Sequence, residues 1–306
     1  MQNVFGPVPS RRLGYSLGVD IIPPKYCSYD CIYCQAGKTT DKEILRKRFY
    51  DPEVIVAQVA DRVATTQQVD IITFSGSGEP TLNLDLGVMI RGVKKRVATP
   101  VAVITNGSLL HDREVRADLA EADVVLPSLD AVSEEAFKRI NRPHPLLDVE
   151  SVIAGLKKFR QGYTGPIWLE IMLIRNVNDD PDELKKMAHI VSTLGMDKIQ
   201  LNTVTRPPSD EKAGRLEEDK LQAICKLFGP ACEVICSFEK VAEMPAQADW
   251  SGIILETLKR RPLTLDDVVK TTSLSHFQAK TRLKAMEEEG LVKSYVLGDD
   301  LFYIIP

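Results

Sequence analysis

Three cysteines lie close together near the start of the sequence, at Cys27, Cys31 and Cys34. Spaced as C-x3-C-x2-C, their thiolates can converge from one loop on one inorganic cluster. A structural zinc site is closed by four ligands, whereas a cubane held by three cysteines leaves one iron open. The spacing therefore favours an iron–sulfur centre with an open iron. A zinc knuckle that takes a ligand from elsewhere in the chain, and unrelated cytosolic thiols, are the alternatives.

The composition sets the class of protein. The chain has 306 residues, of which 44% are hydrophobic and 27% charged. This length supports an α/β core with a small appendage, and the balance is that of a soluble globular protein. A net charge of -4 predicts no strong attraction of the whole surface to nucleic acid, although a local basic patch is compatible with it.

The first residues contain neither a basic start nor an apolar run, so they do not form a secretory signal. Nowhere does the sequence approach the roughly 20 apolar residues that a membrane span needs. We therefore expect a cytoplasmic protein without a membrane partner. In a reducing compartment, clustered cysteines indicate metal binding or catalysis before disulfides.

Short β-branched runs alternate with amphipathic stretches from about residue 15 to residue 205. Strands are predicted at 17–22, 71–75, 101–105, 124–129, 168–174 and 198–203. Helices are predicted at 52–65, 84–97, 133–139, 149–161, 181–194 and 217–227, and a last strand at 233–238. This order indicates parallel βαβ units. Six strands are too few for a closed eight-stranded barrel, which leaves an open doubly wound sheet or a partial barrel.

Glycines and polar residues follow the predicted strands, where ligands gather in parallel α/β folds. The first such segment is TFSGSGEP at 73–80, in which glycines let the backbone approach a ligand and carbonyls can accept bonds from an ammonium group. Thr105 and Asn106 end the next strand, and Ser128 and Asp130 the one after it. A Gly-rich phosphate turn, or plain strand-to-helix connections, are the alternatives.

The cysteine run, with Tyr33 just before its third cysteine, resembles the signature of the radical S-adenosylmethionine (radical SAM) superfamily. The segment at 73–80 resembles that family's GGEP element, with Ser77 in place of the first glycine. The resemblance implies a partial (β/α)6 TIM-like barrel and a [4Fe–4S] cluster on the three cysteines. It also implies reductive cleavage of S-adenosylmethionine to a 5′-deoxyadenosyl radical, which takes hydrogen from an unidentified substrate (RNA, peptide or small metabolite). A flavodoxin- or ferredoxin-type protein is the expected reductant.

The resemblance also implies which residues hold S-adenosylmethionine. Ser128 and Asp130 would hold the ribose hydroxyls, and Arg175 and Asn202 the carboxylate and adenine. The full set of expected cofactor-binding residues is Tyr33, Gly76, Ser77, Gly78, Glu79, Thr105, Asn106, Ser128, Asp130, Arg175 and Asn202. Arg142 and His144 form a polar loop that either faces substrate or is solvated. Arg11, Arg12 and Lys25 are interpreted as surface charges.

Residues 6–208 resemble a poorly characterised radical SAM family near the core of the tRNA wybutosine-synthesising enzymes. Those enzymes take a second cluster from cysteines upstream of the radical SAM loop. This chain has no cysteine before Cys27, so that chemistry is not expected here. Cys225, Cys232 and Cys236 follow the barrel, and an auxiliary cluster there is the alternative to buried thiols. Cys232 and Cys236 are separated by roughly 13 Å along a strand, which favours buried thiols.

The sequence divides into a core domain at 1–240, a linker at 241–250 and a small domain at 251–306. Three predicted helices, at 253–258, 265–271 and 274–289, precede a hairpin at 291–297 and 301–305, an order typical of a winged helix. His276, Lys280, Arg282 and Lys284 on the third helix could contact nucleic acid, but acidic residues at 287–289 and 299–300 oppose it. Substrate presentation, protein contact or capping are favoured. The rival hypothesis for the whole chain is an iron–sulfur or zinc redox sensor that binds DNA through this domain.

Overall fold

The structure is a computed structural model that describes residues 3–66, 68–235, 250–272 and 274–306. None of the helices in those ranges has the length and hydrophobicity to cross a membrane. The first half of the core contains, in chain order, β1 (Val4–Ser10), β2 (Gly14–Val19), β3 (Tyr26–Cys27), β4 (Asp41–Lys42), α1 (Pro52–Thr65), β5 (Ile71–Phe74), α2 (Leu86–Arg96), β6 (Val101–Thr105), α3 (Arg113–Leu119) and β7 (Val124–Pro127). The second half contains α4 (Glu134–Ile140), α5 (Val149–Gly162), β8 (Trp168–Leu173), α6 (Pro181–Ser192), β9 (Lys198–Thr203), α7 (Glu218–Phe228) and β10 (Cys232–Val234).

Six parallel strands form the barrel, in the order β2-β5-β6-β7-β8-β9. Between β7 and β8 the pairing is reduced to two bridges, Val125 with Ile167 and Ser128 with Glu170. β1 extends the barrel antiparallel to β2, and β10 extends it parallel to β9. The prediction of a partial (β/α)6 barrel is confirmed, and the doubly wound alternative is wrong.

The barrel strands are buried by helices on their outer side. β5 is buried along its whole length because it lies between two other strands and under the helices, as continuous apolar strands of parallel sheets do. Helix α1 begins where Asp51 accepts a hydrogen bond from Glu53 N and Pro52 fixes the first turn, and it buries Ile55 and Val59. The regular cap and the apolar face of α1 explain why this helix was predicted to the residue.

Five short or irregular elements were not predicted: β1, α3, β3, β4 and a strand in the small domain. β1 contains Pro7 and Pro9, which argue against a central strand. It is an edge strand with a register shift between Phe5 and Val8, where proline is tolerated. The first barrel strand was predicted at 17–22 but begins earlier, at Gly14, where β1 pairs with it.

The small domain contains α8 (Trp250–Leu258), β11 (Leu263–Thr264), α9 (Leu265–Thr272), α10 (His276–Glu288), β12 (Lys293–Leu297) and β13 (Asp300–Ile304). The three predicted helices and the hairpin are present, and β11 adds a third strand to the sheet, in the order β11-β13-β12. Ile254, Val268, Leu283 and Met286 belong to a separate core. The winged-helix assignment and the domain boundaries stay predictions. Most of the predicted linker, and Cys236, lie outside the described residues.

The small domain packs on the edge of the barrel through α8 and α9, which contact β1. A buried ion pair joins Arg206, after β9, to Asp267 of α9, with 3.2 Å between Nη2 and Oδ2. Arg260 follows α8 and lies 3.4 Å from Asp20 Oδ2 through its Nε, with its guanidinium 4.3 Å from the centre of the Phe5 ring. These contacts bring the small domain to the mouth of the barrel.

Candidate functional site

The cysteine loop is fixed by main-chain bonds to three parts of the barrel. Lys25 N donates to Ser77 O at 2.8 Å, and Glu79 N donates to Tyr26 O at 3.2 Å, which ties the loop to the segment after β5. On the other side, Ile32 N donates to Ile140 O at 2.9 Å. Asp30 N and the Ser209 hydroxyl add further bonds, to Asn141 O and Cys31 O. The loop is therefore held across the carboxyl ends of the strands.

The three thiols are half-buried, and two of them accept bonds from side-chain amides. Asn106 Nδ2 lies 3.6 Å from Cys27 Sγ, and Asn141 Nδ2 lies 3.4 Å from Cys31 Sγ. Burial, followed by the charge of Glu79, raises the pKa of Cys27 to about 12. Burial and then Asp130 raise the pKa of Cys31 well above its ordinary value. A metal centre bound here would therefore displace protons from the thiols.

Within the described ranges, no three His, Cys, Asp or Glu side chains are arranged to hold a single metal ion. A cubane differs from a single ion because each thiolate binds a different iron. The donor set suits such a cluster in its chemistry: three thiols on one fixed loop, with amide N–H groups directed at two of the sulfurs. We therefore consider the loop compatible with a [4Fe–4S] cluster.

Two glycines in the segment after β5 allow it to pack against the cysteine loop. A Cβ atom on Gly78 would lie 2.1 Å from Tyr26 O and 2.5 Å from Ile22 Cγ2. One on Gly76 would lie 2.2 Å from Asp20 Cγ. All three distances are far shorter than van der Waals contact, so neither glycine position can carry a side chain without moving its neighbours. The glycines set the distance between two chain segments.

We expect Gly78→Ala to separate the cysteine loop from the segment after β5. The closest clash is with a main-chain atom, Tyr26 O, so the cost should reach about 3 kcal/mol in the free energy of unfolding, at the upper end of overpacking effects. Urea denaturation followed by circular dichroism would measure it. Gly162→Ala is the control, because nothing lies within 4 Å of a Cβ at the end of α5. Equal stability of the two variants would contradict this packing.

Glu79 is buried and its carboxylate accepts four bonds. Oε1 accepts from Thr81 N at 3.0 Å and from the hydroxyls of Thr81 and Thr105 at 2.6 Å each, and Oε2 accepts from Asn106 N at 2.7 Å. Burial raises the pKa of Glu79 in spite of these bonds. The carboxylate therefore joins the ends of β5 and β6, with Oε1 fully bonded and one acceptor position left on Oε2. It acts as a positioning group for the main chain at residues 105–106.

The cysteines face a cavity of about 400 Å³ at the mouth of the barrel. Eight predicted cofactor-binding residues line it together with the three thiols: Tyr33, Gly76, Gly78, Glu79, Thr105, Asn106, Ser128 and Asn202. They come from the cysteine loop and from the ends of β5, β6, β7 and β9. The structure therefore brings most of the predicted set to one place.

Three predicted residues, Ser77, Asp130 and Arg175, do not line this cavity. Ser77 turns away because its hydroxyl donates to Asp20 Oδ2 at 2.6 Å, and it lines a neighbouring cavity. Arg175 is exposed, and its main chain pairs with Gly214 outside the barrel mouth. The sequence analysis expected the Arg175 side chain to contact the cofactor. The structure corrects this expectation, because the side chain does not line the cavity.

Asp130 is buried below the cysteine loop. Its carboxylate accepts from Tyr33 OH at 2.5 Å, from Asn141 Nδ2 at 2.8 Å and from Met172 N at 2.9 Å. Burial raises the pKa of Asp130 to about 6. The carboxylate positions Tyr33 and Asn141 and does not line the cavity, and its expected contact with ribose hydroxyls stays a prediction.

Several residues of the site were not predicted. Arg11 and Arg12 were interpreted as surface charges, but both line the cavity, and Arg12 Nη1 lies 2.6 Å from Glu170 Oε2. Burial opposes the ionisation of Glu170, yet the Arg12 guanidinium holds the pKa of that carboxyl below its ordinary value. Glu170 also accepts from Asn202 Nδ2 at 2.8 Å. The available signal was Glu170 itself, a charge in the middle of an otherwise apolar strand.

The remaining described cysteines lie away from the cavity. Cys225 on α7 is buried and Cys232 on β10 is half-buried, with their Sγ atoms 2.7 Å apart. Burial and the neighbouring thiol raise the pKa of Cys232. The interpretation of these two residues as packed thiols outside the site stays a prediction, and Cys236 is outside the described residues.

Comparison with known proteins identifies the family. A sequence model of the radical SAM superfamily matches residues 21–188. A UPF0026 protein of Methanocaldococcus jannaschii is 38% identical over 237 residues, which are 77% of this chain and 73% of that protein. The crystal structure of a radical SAM methyltransferase from Sphaerobacter thermophilus has a TM-score of 0.55 at 20% identity, covering 72% of this chain and 65% of the other. At that identity, the likeness concerns the fold.

A longer relative carries a different name. A protein of Brachyspira hyodysenteriae called GTPase Obg is 36% identical over 99% of this chain, which spans 45% of its length. The present sequence lacks the G-x4-G-K-[ST] motif of P-loop proteins, because its Gly-Lys-Thr run at 37–39 has Ile32 where the first glycine would stand.

The superfamily consists of enzymes that use a [4Fe–4S] cluster and S-adenosylmethionine. The matched segment contains the cysteine loop, the glycine segment and strands β5 to β8, whereas β2, β9 and Asn202 lie outside it. This chain belongs to the radical SAM superfamily and, within the sequences compared, to the UPF0026 proteins.

Proposed function

We propose that this enzyme binds its [4Fe–4S] cluster on Cys27, Cys31 and Cys34 and binds S-adenosylmethionine in the 400 Å³ cavity beside them. The observation that carries the proposal is the shared cavity: three thiols from one loop face the polar ends of four barrel strands. A reduced cluster of this kind, held on the three cysteines, would supply one electron for the cleavage of S-adenosylmethionine to methionine and a 5′-deoxyadenosyl radical, which would abstract hydrogen from a substrate. The cavity also lies at the strand ends where parallel α/β folds bind ligands.

The protein's own groups fall into two classes in this proposal. Those that contact the ligand are the main chain around Gly76 and Gly78 and the Ser128 hydroxyl, all in the cavity wall. Those that position the wall are Glu79, through four hydrogen bonds, and Asn202, whose Oδ1 accepts from Arg11 Nη1 at 3.0 Å. Tyr33 belongs with the positioning groups because its hydroxyl donates to Asp130.

The rival hypothesis of a DNA-binding sensor is weakened by the family match, and three basic side chains of α10 also make surface contacts within the protein. His276 Nε2 lies 2.9 Å from Asp266 Oδ1, and Lys284 Nζ lies 3.7 Å from Glu288 Oε1. Arg282 lies 5.5 Å above the Trp250 ring. Basic side chains of the predicted recognition helix therefore have partners within the protein. Nucleic-acid binding through residues 251–306 stays a prediction, as do a flavodoxin- or ferredoxin-type reductant and a cytoplasmic location.

Anaerobic reconstitution tests the proposed function. After addition of iron and sulfide, the protein should show cluster absorbance, and addition of S-adenosylmethionine with dithionite should release 5′-deoxyadenosine. Chromatography with mass detection measures the product. A protein that holds a full cluster but releases none would overturn the proposal, because cluster loading and catalysis are measured separately.

Asn141 should tune the reduction potential of the cluster. Its amide donates to Cys31 Sγ and to Asp130, and hydrogen bonds to cluster sulfurs stabilise the more negative, reduced state. We expect Asn141→Ala to lower the midpoint potential and slow reduction by dithionite. Redox titration monitored by electron paramagnetic resonance measures this. An unchanged potential in a variant with full iron content would exclude the N–H···S bond as an influence.

A further inference from the structure

The cavity beside the cysteines carries an excess of positive charge. Five arginines line it, against two glutamates: Arg11, Arg12, Arg206, Arg260, Arg261, Glu79 and Glu170. Arg12 is neutralised by Glu170 at 2.6 Å. The four other arginines come from three parts of the chain, namely the β1–β2 turn, the segment after β9 and the turn after α8. Arg206 is paired with Asp267, and Arg260 with Asp20 and Glu256, so the positive charge that these pairs leave uncompensated lies around Arg261.

Two buried donor atoms distinguish Arg261 from the other arginines of this set. Its Nε and Nη2 atoms are buried, and neither has a hydrogen-bond partner in the part of the chain that the structure describes. The neighbouring Asp267 directs its carboxylate to Arg206 Nη2 and to Thr264 N instead. Buried guanidinium groups are ordinarily bonded, because an unpaired donor loses its hydration without compensation.

The electrostatic surroundings of Arg261 agree with the lack of hydrogen-bond partners for its Nε and Nη2 atoms among the described residues. Burial, followed by the charge of Arg206, lowers the pKa of Arg261 to about 9, and Arg11 acts in the same direction. Guanidinium groups keep their proton in proteins. The lowered pKa therefore expresses an unfavourable charge that a bound anion would relieve.

We propose that Arg261, with Arg11, Arg206 and Arg260 beside it, binds the phosphate group of a small phosphorylated substrate. This assignment deepens the proposed function, on which it rests, by naming the substrate class. Guanidinium groups bind phosphate through paired N–H···O bonds. A phosphate group also brings close to two negative charges and three acceptor oxygens, which answers a multiple positive charge better than a single carboxylate does.

The position of the arginines favours a small molecule over a nucleic acid. They line the cavity, and the nearby helices α8 and α9 pack on β1 and are joined to the barrel by the buried Arg206–Asp267 pair. A duplex cannot enter a cavity of about 400 Å³. A phosphate held at Arg261 would keep the rest of a small molecule in the space that Cys34 also lines.

There is room for two ligands. A second cavity of about 480 Å³ adjoins the first, and the two share Cys34, Gln35, Ala36 and Arg260 in their walls. The shared wall contains one of the proposed cluster ligands and one of the arginines. S-adenosylmethionine and a phosphorylated substrate can therefore both lie next to the cluster loop.

Binding of pyrophosphate to the full chain without its cluster tests the proposal by isothermal titration calorimetry. We expect Arg261→Gln to weaken pyrophosphate binding by about 10-fold or more, the loss typical of a charge-assisted hydrogen bond. Arg261→Lys should retain part of the affinity. Arg282→Gln, in the same domain but on the exposed face of α10, is the matched control and should bind like the native protein. Circular dichroism confirms that each variant is folded, and Arg11→Gln replaces Arg261→Gln if the latter does not fold.

The other outcomes are decisive as well. Equal pyrophosphate binding by the native protein and the folded variant would overturn the proposal. Loss of S-adenosylmethionine binding by the reconstituted Arg261→Gln variant, with pyrophosphate binding intact, would assign Arg261 to the cofactor carboxylate instead. Tight binding of a single-stranded RNA that depends on Arg261, without pyrophosphate binding, would replace the small molecule by nucleic acid. Because pyrophosphate binding needs no cluster, its failure is distinguishable from a failure to produce 5′-deoxyadenosine.

Discussion

Replacement of Cys31 by alanine is expected to abolish both the cluster and the production of 5′-deoxyadenosine. Cys31 is the middle thiol of the loop, and its sulfur accepts a bond from Asn141 Nδ2. A cubane with two protein thiolates loses one of its three anchors, so we expect reconstituted iron and sulfide to fall to background. Iron and sulfide analysis, together with electron paramagnetic resonance of the reduced protein, measures the loss.

Cys225→Ala provides the matched control. Cys225 is buried on α7, away from the cavity, and its sulfur lies beside Cys232. This variant should bind a full cluster, and it should release 5′-deoxyadenosine at the native rate. A Cys31→Ala protein that retained the native cluster, or a Cys225→Ala protein that lost it, would show that the ligand assignment is wrong.

Replacement of Glu79 is expected to damage both stability and cofactor binding. In Glu79→Ala, four donors (the hydroxyls of Thr81 and Thr105, Thr81 N and Asn106 N) lose their acceptor, and each unsatisfied buried donor costs about 1–3 kcal/mol. Part of the cost is offset because a buried carboxylate is removed. We expect the free energy of unfolding to fall by about 2–4 kcal/mol and the affinity for S-adenosylmethionine to fall at least about 10-fold.

One further variant separates position from charge at Glu79, and a second variant provides a surface control. Glu79→Gln keeps one acceptor oxygen, so it should lose less stability than Glu79→Ala. Glu53→Gln removes an exposed carboxylate that contacts Arg96 on the surface, and it should change the free energy of unfolding by less than about 0.5 kcal/mol. Urea denaturation and equilibrium dialysis of S-adenosylmethionine measure both quantities. A Glu79→Ala protein as stable as Glu53→Gln would contradict the network described for Glu79.

The barrel was predictable because its elements agree at every level of the sequence. The strands at Val101–Thr105 and Lys198–Thr203 and the helix at Pro52–Thr65 were predicted to the residue, since apolar runs, caps and turns coincide there. Edge strand β1 was missed because its prolines carry the opposite signal. Apolar runs, caps and turns in the local sequence identify regular strands and helices. An edge strand such as β1 forms because a neighbouring strand pairs with it, and the local sequence does not show that pairing.

Site residues were predictable where the end of a strand places them at the cavity. They were less predictable where the hydrogen-bond partners of a side chain determine its direction. Residues such as Gly76 and Asn106 reach the cavity because the backbone places them there. Asp130 and Arg175 follow strands as well, but the partners of their side chains and main chain turn them elsewhere. Arg261 joins the site only through the packing of the small domain on β1, a contact between distant parts of the chain that no local pattern encodes.

The most direct test of the central claim is whether S-adenosylmethionine binds to an iron of the cluster held by the three cysteines. Electron–nuclear double resonance of the reduced protein, with S-adenosylmethionine isotopically labelled in its amino and carboxylate groups, measures this. The account predicts hyperfine coupling between the cluster and both labelled groups, because three thiolates leave one iron open. A cluster that forms fully but shows no coupling to either group would contradict it.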